Sequence, residues 1–262
     1  MASDPLSVLN RPLRVFITGA SSGLGAALAR HYGTQGAQLG LTGRRIEGLE
    51  ETAAGLDARL YTADVRDAAA MQAAADAFVA EVGSPDLVVA AAGISVGTLT
   101  EEGEDAKVFR AVMDANVLGL VHTFHPFIAP MQAGGGVLCA ISSVAGVRGL
   151  PGGGAYSASK AAATVYLESL RLELKARGIA VVTVAPGYID TPMTRVNPYA
   201  MPFRMTADAA AAKVARCIAR RDAYAVIPWQ MAWVARLLKW LPVPVYDALF
   251  EKAPRKPRGL PT

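Results

Sequence analysis

A tyrosine and a lysine stand four positions apart in the segment Tyr156-Ser-Ala-Ser-Lys160. The surrounding residues 155–176 have a helical pattern, so the two side chains would share one face of a helix. A free phenol titrates near about pH 10, too high for an efficient base at neutral pH. A nearby ammonium group favours the phenolate and lowers that pKa. The pair therefore suits general acid–base catalysis, although the same spacing also arises by chance on surface helices.

A serine upstream of this pair is a candidate to polarise a substrate carbonyl. Ser143 follows a predicted buried strand at residues 137–141. Loops beyond the carboxyl ends of strands are where open α/β sheets build their sites, and a hydroxyl there can stabilise a developing oxyanion. Ser142 is an adjacent rival, and either serine could be only a turn hydroxyl.

Three glycines, Gly19, Gly23 and Gly25, separate the first predicted strand from the first predicted helix. Glycine tolerates unusual dihedrals and presents no Cβ to a ligand. The helix that begins near Ser22 would aim backbone N–H groups at a phosphate. The spacing Gly-x-x-x-Gly-x-Gly differs from the common Gly-x-Gly-x-x-Gly pattern, and such a turn can be purely structural. Its place in the first strand–helix unit favours binding of a dinucleotide pyrophosphate.

Two arginines, Arg44 and Arg45, follow the second predicted strand, and no acidic residue appears before Glu47. NAD-binding folds usually place an acidic residue here for the ribose 2′-hydroxyl, whereas NADP sites have an arginine nearby for the 2′-phosphate. A guanidinium fork matches phosphate geometry. We therefore expect NADP(H) to be preferred over NAD(H). The alternative is that both arginines are merely solvated.

Short apolar runs alternate with longer helical patterns along the chain. The predicted strands cover residues 14–18, 38–42, 59–62, 87–91, 137–141, 180–184 and 224–227. The predicted helices cover residues 24–35, 68–82, 105–131, 155–176 and 207–220. This alternation predicts an α/β fold with a Rossmann-type, doubly wound, seven-stranded parallel sheet in a single domain. The expected organisation is an N-terminal extension at residues 1–12, the domain at 13–228, and an apolar and basic C-terminal extension at 229–262.

Composition narrows the class of protein. Of the 262 residues, 52% are hydrophobic and 18% are charged, which predicts a substantial core. The net charge of +4 is spread along the chain, which argues against a nucleic-acid partner. Cys139 and Cys217 are expected to be buried free thiols, as in a reducing compartment. No metal-ligand spacing, secretory signal or apolar membrane span is visible, so we expect a cytoplasmic protein without a bound metal.

Together, these motifs resemble the classical short-chain dehydrogenase/reductase (SDR) family over about residues 13 to 230. The matching pieces are Thr18-Gly-x-x-x-Gly-x-Gly25, Asp64-Val65, Asn116, Ile141-Ser-Ser-Val-Ala-Gly146, Tyr156-x-x-x-Lys160 and Pro186-Gly187 with Thr191. The resemblance implies an oxidoreductase that moves hydride between a nicotinamide cofactor and a small-molecule ketone, aldehyde or secondary alcohol. It also implies a homodimer or homotetramer. The long helices near 105–131 and 155–177 could pack across a two-fold axis.

The resemblance also implies roles for individual residues. Tyr156 would be the acid/base, and Ser143 would orient the substrate oxygen. Lys160 would bind the nicotinamide ribose and lower the tyrosine pKa, and Asn116 would hold a helix distortion and a water in a proton relay. Asp64 and Val65 would contact the adenine. The cofactor-binding residues would be Gly19, Ser21, Ser22, Gly23, Leu24, Gly25, Arg44, Arg45, Asp64, Val65, Ala92, Gly93, Tyr156, Lys160, Pro186, Gly187, Ile189 and Thr191.

One motif departs from the family. Where the family often has Asn-Asn-Ala-Gly after the fourth strand, this chain has Ala90-Ala-Ala-Gly93. Hydrogen bonds from those asparagine side chains are impossible here, while backbone contacts from Ala92 and Gly93 survive. We expect some loss of sheet stability without loss of activity.

Two apolar segments bear on the substrate and on partners. In the family, the region corresponding to residues 188–206 covers the substrate, and its methionines and Phe203 could form an apolar pocket or pack beneath a lid. Residues 229–262 combine tryptophans with a basic tail, as in a peripheral anchor on anionic lipid. The alternative for this extension is a lid over the pocket or a subunit contact. A catalytically silent NADP(H)-binding regulator is the competing function, although the intact Asn116, Ser143, Tyr156 and Lys160 argue against it.

Overall fold

The computed structural model describes residues 11–259. Residues 1–10 of the predicted N-terminal extension and residues 260–262 of the C-terminal one lie outside the described part.

A seven-stranded parallel sheet forms the centre of the described chain, as predicted. Its strands, with the short β7 and β8 that pair apart from it, are β1 (Arg14–Thr18), β2 (Gln38–Gly43), β3 (Ala58–Thr62), β4 (Leu87–Ala90), β5 (Gly136–Ile141), β6 (Ile179–Pro186), β7 (Ile189–Asp190), β8 (Met205–Thr206) and β9 (Tyr224–Ile227). The order in the sheet is β3-β2-β1-β4-β5-β6-β9. The strands β1 to β3 are added toward one edge of the sheet and β4 onward toward the other, so the strand order reverses between β1 and β4 and opens a crevice at the carboxyl ends of these strands.

Helices cover both faces of the sheet. They are α1 (Gly23–Gly33), α2 (Ile46–Ala53), α3 (Ala68–Glu81), α4 (Asp105–Met113), α5 (Gly119–Met131), α6 (Gly154–Leu174), α7 (Pro192–Arg195), α8 (Ala207–Ala219), α9 (Trp229–Trp240) and α10 (Val243–Phe250). The long helix predicted over 105–131 is interrupted by a π-helical turn, Asp114–Leu118. The sequence patterns did not predict α2, α7, α9 or α10.

Alternate residues of each strand fill two apolar cores, one on each face of the sheet. On β1, Val15 and Ile17 face the core that contains α1 and α8, whereas Phe16 faces the core formed with α3, α5 and α6. The uninterrupted apolar strands are explained by this double coverage. Cys139 and Cys217 are buried free thiols, as predicted.

The C-terminal extension folds back onto the domain. Arg148 donates to the carbonyl oxygens of Leu238 and Leu241 at 3.0 Å, which satisfies the carboxyl end of α9. The Tyr246 hydroxyl donates to the Gly149 carbonyl oxygen. Residues 255–258, which we name the C-terminal strap, then run beside Gly97. The extension is thus tied to the loop that leads into α6.

Within residues 11–259, no helix is both long and apolar enough to cross a membrane.

Candidate active site and cofactor cleft

A cleft of about 470 Å³ opens at the carboxyl ends of the central strands. Its volume is in the range typical of small-molecule sites. Most of the predicted site residues line it: Gly19, Ser21, Ser22, Gly23, Leu24, Gly25, Arg44, Asp64, Val65, Ala92, Gly93, Ser143, Tyr156, Lys160, Pro186, Gly187, Ile189 and Thr191. Arg45 and Asn116 are not among its lining residues.

The glycine turn between β1 and α1 requires glycine for steric reasons. Gly19 has φ +68°, and a Cβ there would lie 2.7 Å from the Ala92 backbone. A Cβ on Gly25 would overlap the Gly19 carbonyl oxygen. Ser22, at the N-cap of α1, makes no side-chain capping hydrogen bond. The turn therefore brings the backbone and the amino end of α1 against the cleft, an arrangement that suits a phosphate.

Charged residues gather at the part of the cleft where β2 and β3 end, the position predicted for the adenine end of a dinucleotide. Arg44 and Asp64 both line the cleft, and so does Arg66, which sequence reasoning missed. Arg66 holds Asp64 in an ion pair at 2.6 Å. This contact holds the pKa of Asp64 below its usual range, with a smaller contribution from Arg44. Arg45 begins α2 on an exposed surface instead.

Asn116 lies in the π-helical turn, so the predicted helix distortion is present. Its side-chain amide donates to the Ile94 carbonyl oxygen and to Ser159 Oγ, both at 2.9 Å. Its Oδ1 accepts from the Ile94 backbone N–H at 2.8 Å. These bonds connect the loop after β4 to α6. Asn116 thus positions the site from beneath, and its part in a proton relay remains a prediction.

The geometry distinguishes the two candidate serines. Ser142 is buried, and its hydroxyl contacts Thr164 Oγ1 at 2.7 Å and donates to the Lys160 carbonyl oxygen at 3.2 Å. Ser143 lies on the cleft and accepts from the Ala145 N–H at 3.1 Å. Its hydroxyl also contacts the Tyr156 phenol. The arrangement favours Ser143 over Ser142 as the group that meets a substrate oxygen.

The Tyr156 and Lys160 side chains share a face of α6, but their electrostatics differ from the expectation. Burial raises the pKa of Tyr156, and only the Ser143 contact opposes that rise. The Lys160 ammonium donates to the Ile141 carbonyl oxygen at 2.8 Å and lies 5.8 Å from the phenol ring centre, and its lowering of the Tyr156 pKa stays a prediction. Burial lowers the pKa of Lys160 to about 8. Because burial raises its pKa, the Tyr156 phenol is protonated at neutral pH.

The other end of the cleft is formed by the loop after β6 and the segment predicted to cover the substrate. Met193 lines the cleft, whereas Met205 is buried in the core and Phe203 is exposed. Burial raises the pKa of Tyr199, and the nearby phenols of Tyr188 and Tyr156 raise it further. The segment thus combines both predicted alternatives, with one methionine at the cleft and another in the core.

The lining fits a nicotinamide dinucleotide. The glycine turn packs tightly against the Ala92 backbone, which holds the turn and the amino end of α1 at the cleft, where a pyrophosphate would bind. Gly187, Ile189 and Thr191 lie along the same cleft toward Tyr156. Gly187 is packed against α9, where an added Cβ would lie 2.7 Å from Met231.

Comparisons with known proteins agree with this geometry. The family model described as short chain dehydrogenase matches residues 14–200. An uncharacterized oxidoreductase of Myxococcus xanthus is 38% identical over 88% of this chain and 94% of its own. Sulfoacetaldehyde reductase 2 of Chromohalobacter salexigens is 36% identical over 70% of this chain and 75% of its own. An alcohol dehydrogenase from the archaeon Thermococcus sibiricus, complexed with 5-hydroxy-NADP, is 26% identical with a TM-score of 0.73, over 82% of this chain and 94% of its own.

Proposed function

The chain belongs to the short-chain dehydrogenase family, and from this premise we propose that it is an NADP(H)-dependent oxidoreductase of small carbonyl compounds or alcohols. The observation that carries the proposal is the convergence of Ser143, Tyr156 and Lys160 on the cleft that the glycine turn opens. The nicotinamide cofactor, when bound, supplies or accepts hydride at the substrate carbon.

The chain's own residues handle the oxygen and its proton. Ser143 Oγ holds the substrate oxygen, and Tyr156 donates a proton to it during reduction or removes one during oxidation. Burial raises the pKa of Tyr156, so the phenol holds the proton that reduction requires. The relative named sulfoacetaldehyde reductase 2 is also named for reduction of an aldehyde.

The preference for NADP(H) rests on Arg44. Its side chain lines the cleft at the end of β2, where a 2′-phosphate on the adenine ribose would approach. The relative of known structure was crystallised with an NADP derivative. Both Arg44 and Arg45 were expected to favour NADP(H), but Arg45 is not among the residues that line the cleft, so the proposal depends on Arg44.

The substrate is expected to have an apolar body. Ile94, Ala111, Ala115 and Met193 line the cleft beside the polar groups. Methionine adapts to irregular ligands.

A panel of ketones, aldehydes and secondary alcohols, assayed with both cofactors by the absorbance of the reduced nicotinamide, tests the activity. Turnover of at least one carbonyl compound, faster with NADPH than with NADH, is the expected result. Tight NADPH binding without turnover of any compound would instead support the silent regulator.

Self-association is the proposed assembly, as a homodimer or homotetramer. Phe109 on α4 and Leu118 in the π-helical turn are exposed, and so are Val165 and Leu172 on α6. These side chains form apolar surface on the two helical segments expected to pack across a two-fold axis.

Peripheral contact with anionic membranes is proposed for the C-terminal extension. On α9, Met231 and Ala235 face the domain, while Trp229, Trp233, Leu237 and Trp240 are exposed along one outer face. Arg236 and Lys239 are exposed on the same helix. Tryptophans beside basic residues suit a lipid headgroup region. Flotation with anionic vesicles, compared between the wild type and Trp233→Ser/Trp240→Ser, tests the contact, and equal flotation of the two proteins would reject it.

A further inference from the structure

A second ammonium group lies beside the catalytic phenol. Lys256 Nζ, from the C-terminal strap, lies 5.7 Å from the centre of the Tyr156 ring. It donates to Ser95 Oγ at 2.7 Å. The two residues of this contact are 161 positions apart in the sequence. Nothing in the local sequence pattern therefore indicates that Lys256 reaches the site.

The strap is held in place by specific contacts rather than lying loosely on the surface. The Gly97 N–H donates to the Pro257 carbonyl oxygen at 2.9 Å. Arg258 pairs with Asp105 at 2.8 Å and with Glu102 at 3.1 Å. Asp105 is buried and also accepts from the Leu99 N–H at 2.8 Å. The strap is thus fastened to the segment that follows β4, at positions that lie beyond Ser95 in the sequence.

Two glycines make room for the strap. A Cβ on Gly97 would overlap the Lys256 carbonyl oxygen and lie 2.8 Å from that of Pro257. Gly152 has φ +70°, and a Cβ there would lie 2.8 Å from Arg255 Cβ. The strap therefore fits a groove that the main domain's own sequence keeps open.

The Lys256 ammonium has no carboxylate partner among residues 11–259. Its one hydrogen bond is to the neutral Ser95 hydroxyl, whereas its neighbour Arg258 pairs with two acidic residues. A partly buried charge without a counter-charge is costly. Burial lowers the pKa of Lys256 to about 8, so the group remains cationic at neutral pH. The side chain thus offers an uncompensated positive charge 5.7 Å from the centre of the Tyr156 ring, beside Ser95, which directly follows the cleft-lining Ile94.

We propose that Lys256 is a specificity residue that binds an anionic group of the substrate, such as a carboxylate, while the carbonyl lies at Ser143 and Tyr156. This inference rests on the proposed carbonyl chemistry and adds the substrate class, which is a short oxo acid with an apolar body. Lys256 supplies a charge-assisted hydrogen bond to the acid end. Ser95 orients the ammonium group.

Matched substrates and variants test the subsite. The probes are 2-, 3- and 4-oxo acids of four to six carbons and their methyl esters, which differ in one charge. Wild-type protein is expected to reduce at least one acid with a kcat/KM about tenfold or more above that of its ester. Lys256→Gln is expected to remove this preference by raising KM for the acid. Its turnover of the ester should stay within about twofold of the wild-type value. Lys256→Arg retains the preference. Lys252→Gln, which makes the same charge change at an exposed position of the extension, has no effect.

Contrary results separate the possible failures. Equal losses on acid and ester in Lys256→Gln would overturn the proposal, because Lys256 would then act on Tyr156 or on the fold. A wild-type preference for the esters would also overturn it. If no compound is reduced, binding of the acids is measured by calorimetry. If the wild type binds an acid and Lys256→Gln does not, the anion site is retained and the proposed redox function is rejected. If the two proteins bind the acids equally, both the anion site and the redox function are rejected.

A second variant tests the route through the strap. Gly97→Ala displaces the strap and is expected to reproduce the loss of acid preference. The amide of residue 97 should also exchange hydrogen faster, because its bond to Pro257 is broken. Gly103→Ala is the matched control, since a Cβ there meets nothing within 4 Å. An intact acid preference in Gly97→Ala with fast exchange at residue 97 would contradict the proposed position of Lys256.

Discussion

At the scale of single residues, Arg44 and Arg45 are neighbours in sequence but not in function. Arg44 lines the cleft near Asp64, whereas Arg45 begins α2 on the surface. Arg44→Ala is expected to weaken the binding free energy of NADPH by about 1.5–3 kcal/mol, because it removes a charge-assisted hydrogen bond to the 2′-phosphate. The affinity for NADH, which lacks that phosphate, should be nearly unchanged. Titration of both cofactors measures this, with Arg45→Ala as the matched control. An unchanged ratio of the two affinities in Arg44→Ala would show that another residue selects the phosphate.

The pH dependence of reduction follows from the two titrating groups on α6. Burial lowers the pKa of Lys160 to about 8 and raises that of Tyr156. The lysine cation is therefore present below about pH 8 and is lost above it, while the phenol keeps its proton through the same range. We expect kcat/KM for a neutral ketone to fall above about pH 8. Because the pKa of Lys256 is also lowered to about 8, the profile is measured in Lys256→Gln, where only Lys160 of the two lysines remains. A fall above about pH 8 in that variant assigns the effect to Lys160, and a flat profile would contradict the assignment.

The identities of the site residues were easier to predict than their protonation states and contacts. The spacing of Tyr156 and Lys160 indicates correctly that they share a helical face. It does not show that Lys160 donates to the Ile141 carbonyl oxygen, because that contact depends on how β5 and α6 pack. The choice between Ser142 and Ser143 likewise depended on the burial of Ser142 against Thr164.

At the scale of elements, the π-helical turn and its asparagine form one unit. Asn116 makes three hydrogen bonds that join the loop after β4 to α6. Asn116→Ala leaves buried partners without bonds and is expected to lower the free energy of unfolding by about 2 kcal/mol. Denaturant unfolding measures this, with Ser159→Ala as a comparison that removes one of the three Asn116 bonds together with the Ser159 bond to the Tyr156 carbonyl oxygen. A loss in Asn116→Ala no larger than that in Ser159→Ala would contradict the account.

Elements with strong periodicity were predicted well, and those defined by tertiary contacts were not. All seven strands of the sheet were found from their apolar runs. The interruption of the 105–131 helix was inferred only from the family resemblance, since Asp114–Leu118 itself contains no glycine or proline. The strap escaped prediction because its partners, Gly97 and Asp105, lie far away in the sequence.

At the scale of the whole molecule, two apolar surfaces have different expected partners. If α6 packs against a second copy, Val165→Glu/Leu172→Glu should convert the oligomer to a monomer, because the charges would be buried at the interface. Light scattering at micromolar concentration measures the mass. Trp229→Ser/Trp233→Ser, on the outer face of α9, is the control that should leave the mass unchanged. A monomeric wild type would reject the assembly, and a loss of mass in the control alone would move the interface to α9.

The central claim is that Tyr156 transfers the proton in an NADPH-linked carbonyl reduction. The most direct measurement compares turnover of the best carbonyl substrate by the wild type and by Tyr156→Phe, with NADPH affinity measured in parallel. The account predicts a loss of turnover of about 100-fold or more with cofactor affinity retained, because only the proton donor is removed. Turnover near the wild-type rate in a folded Tyr156→Phe variant would contradict it.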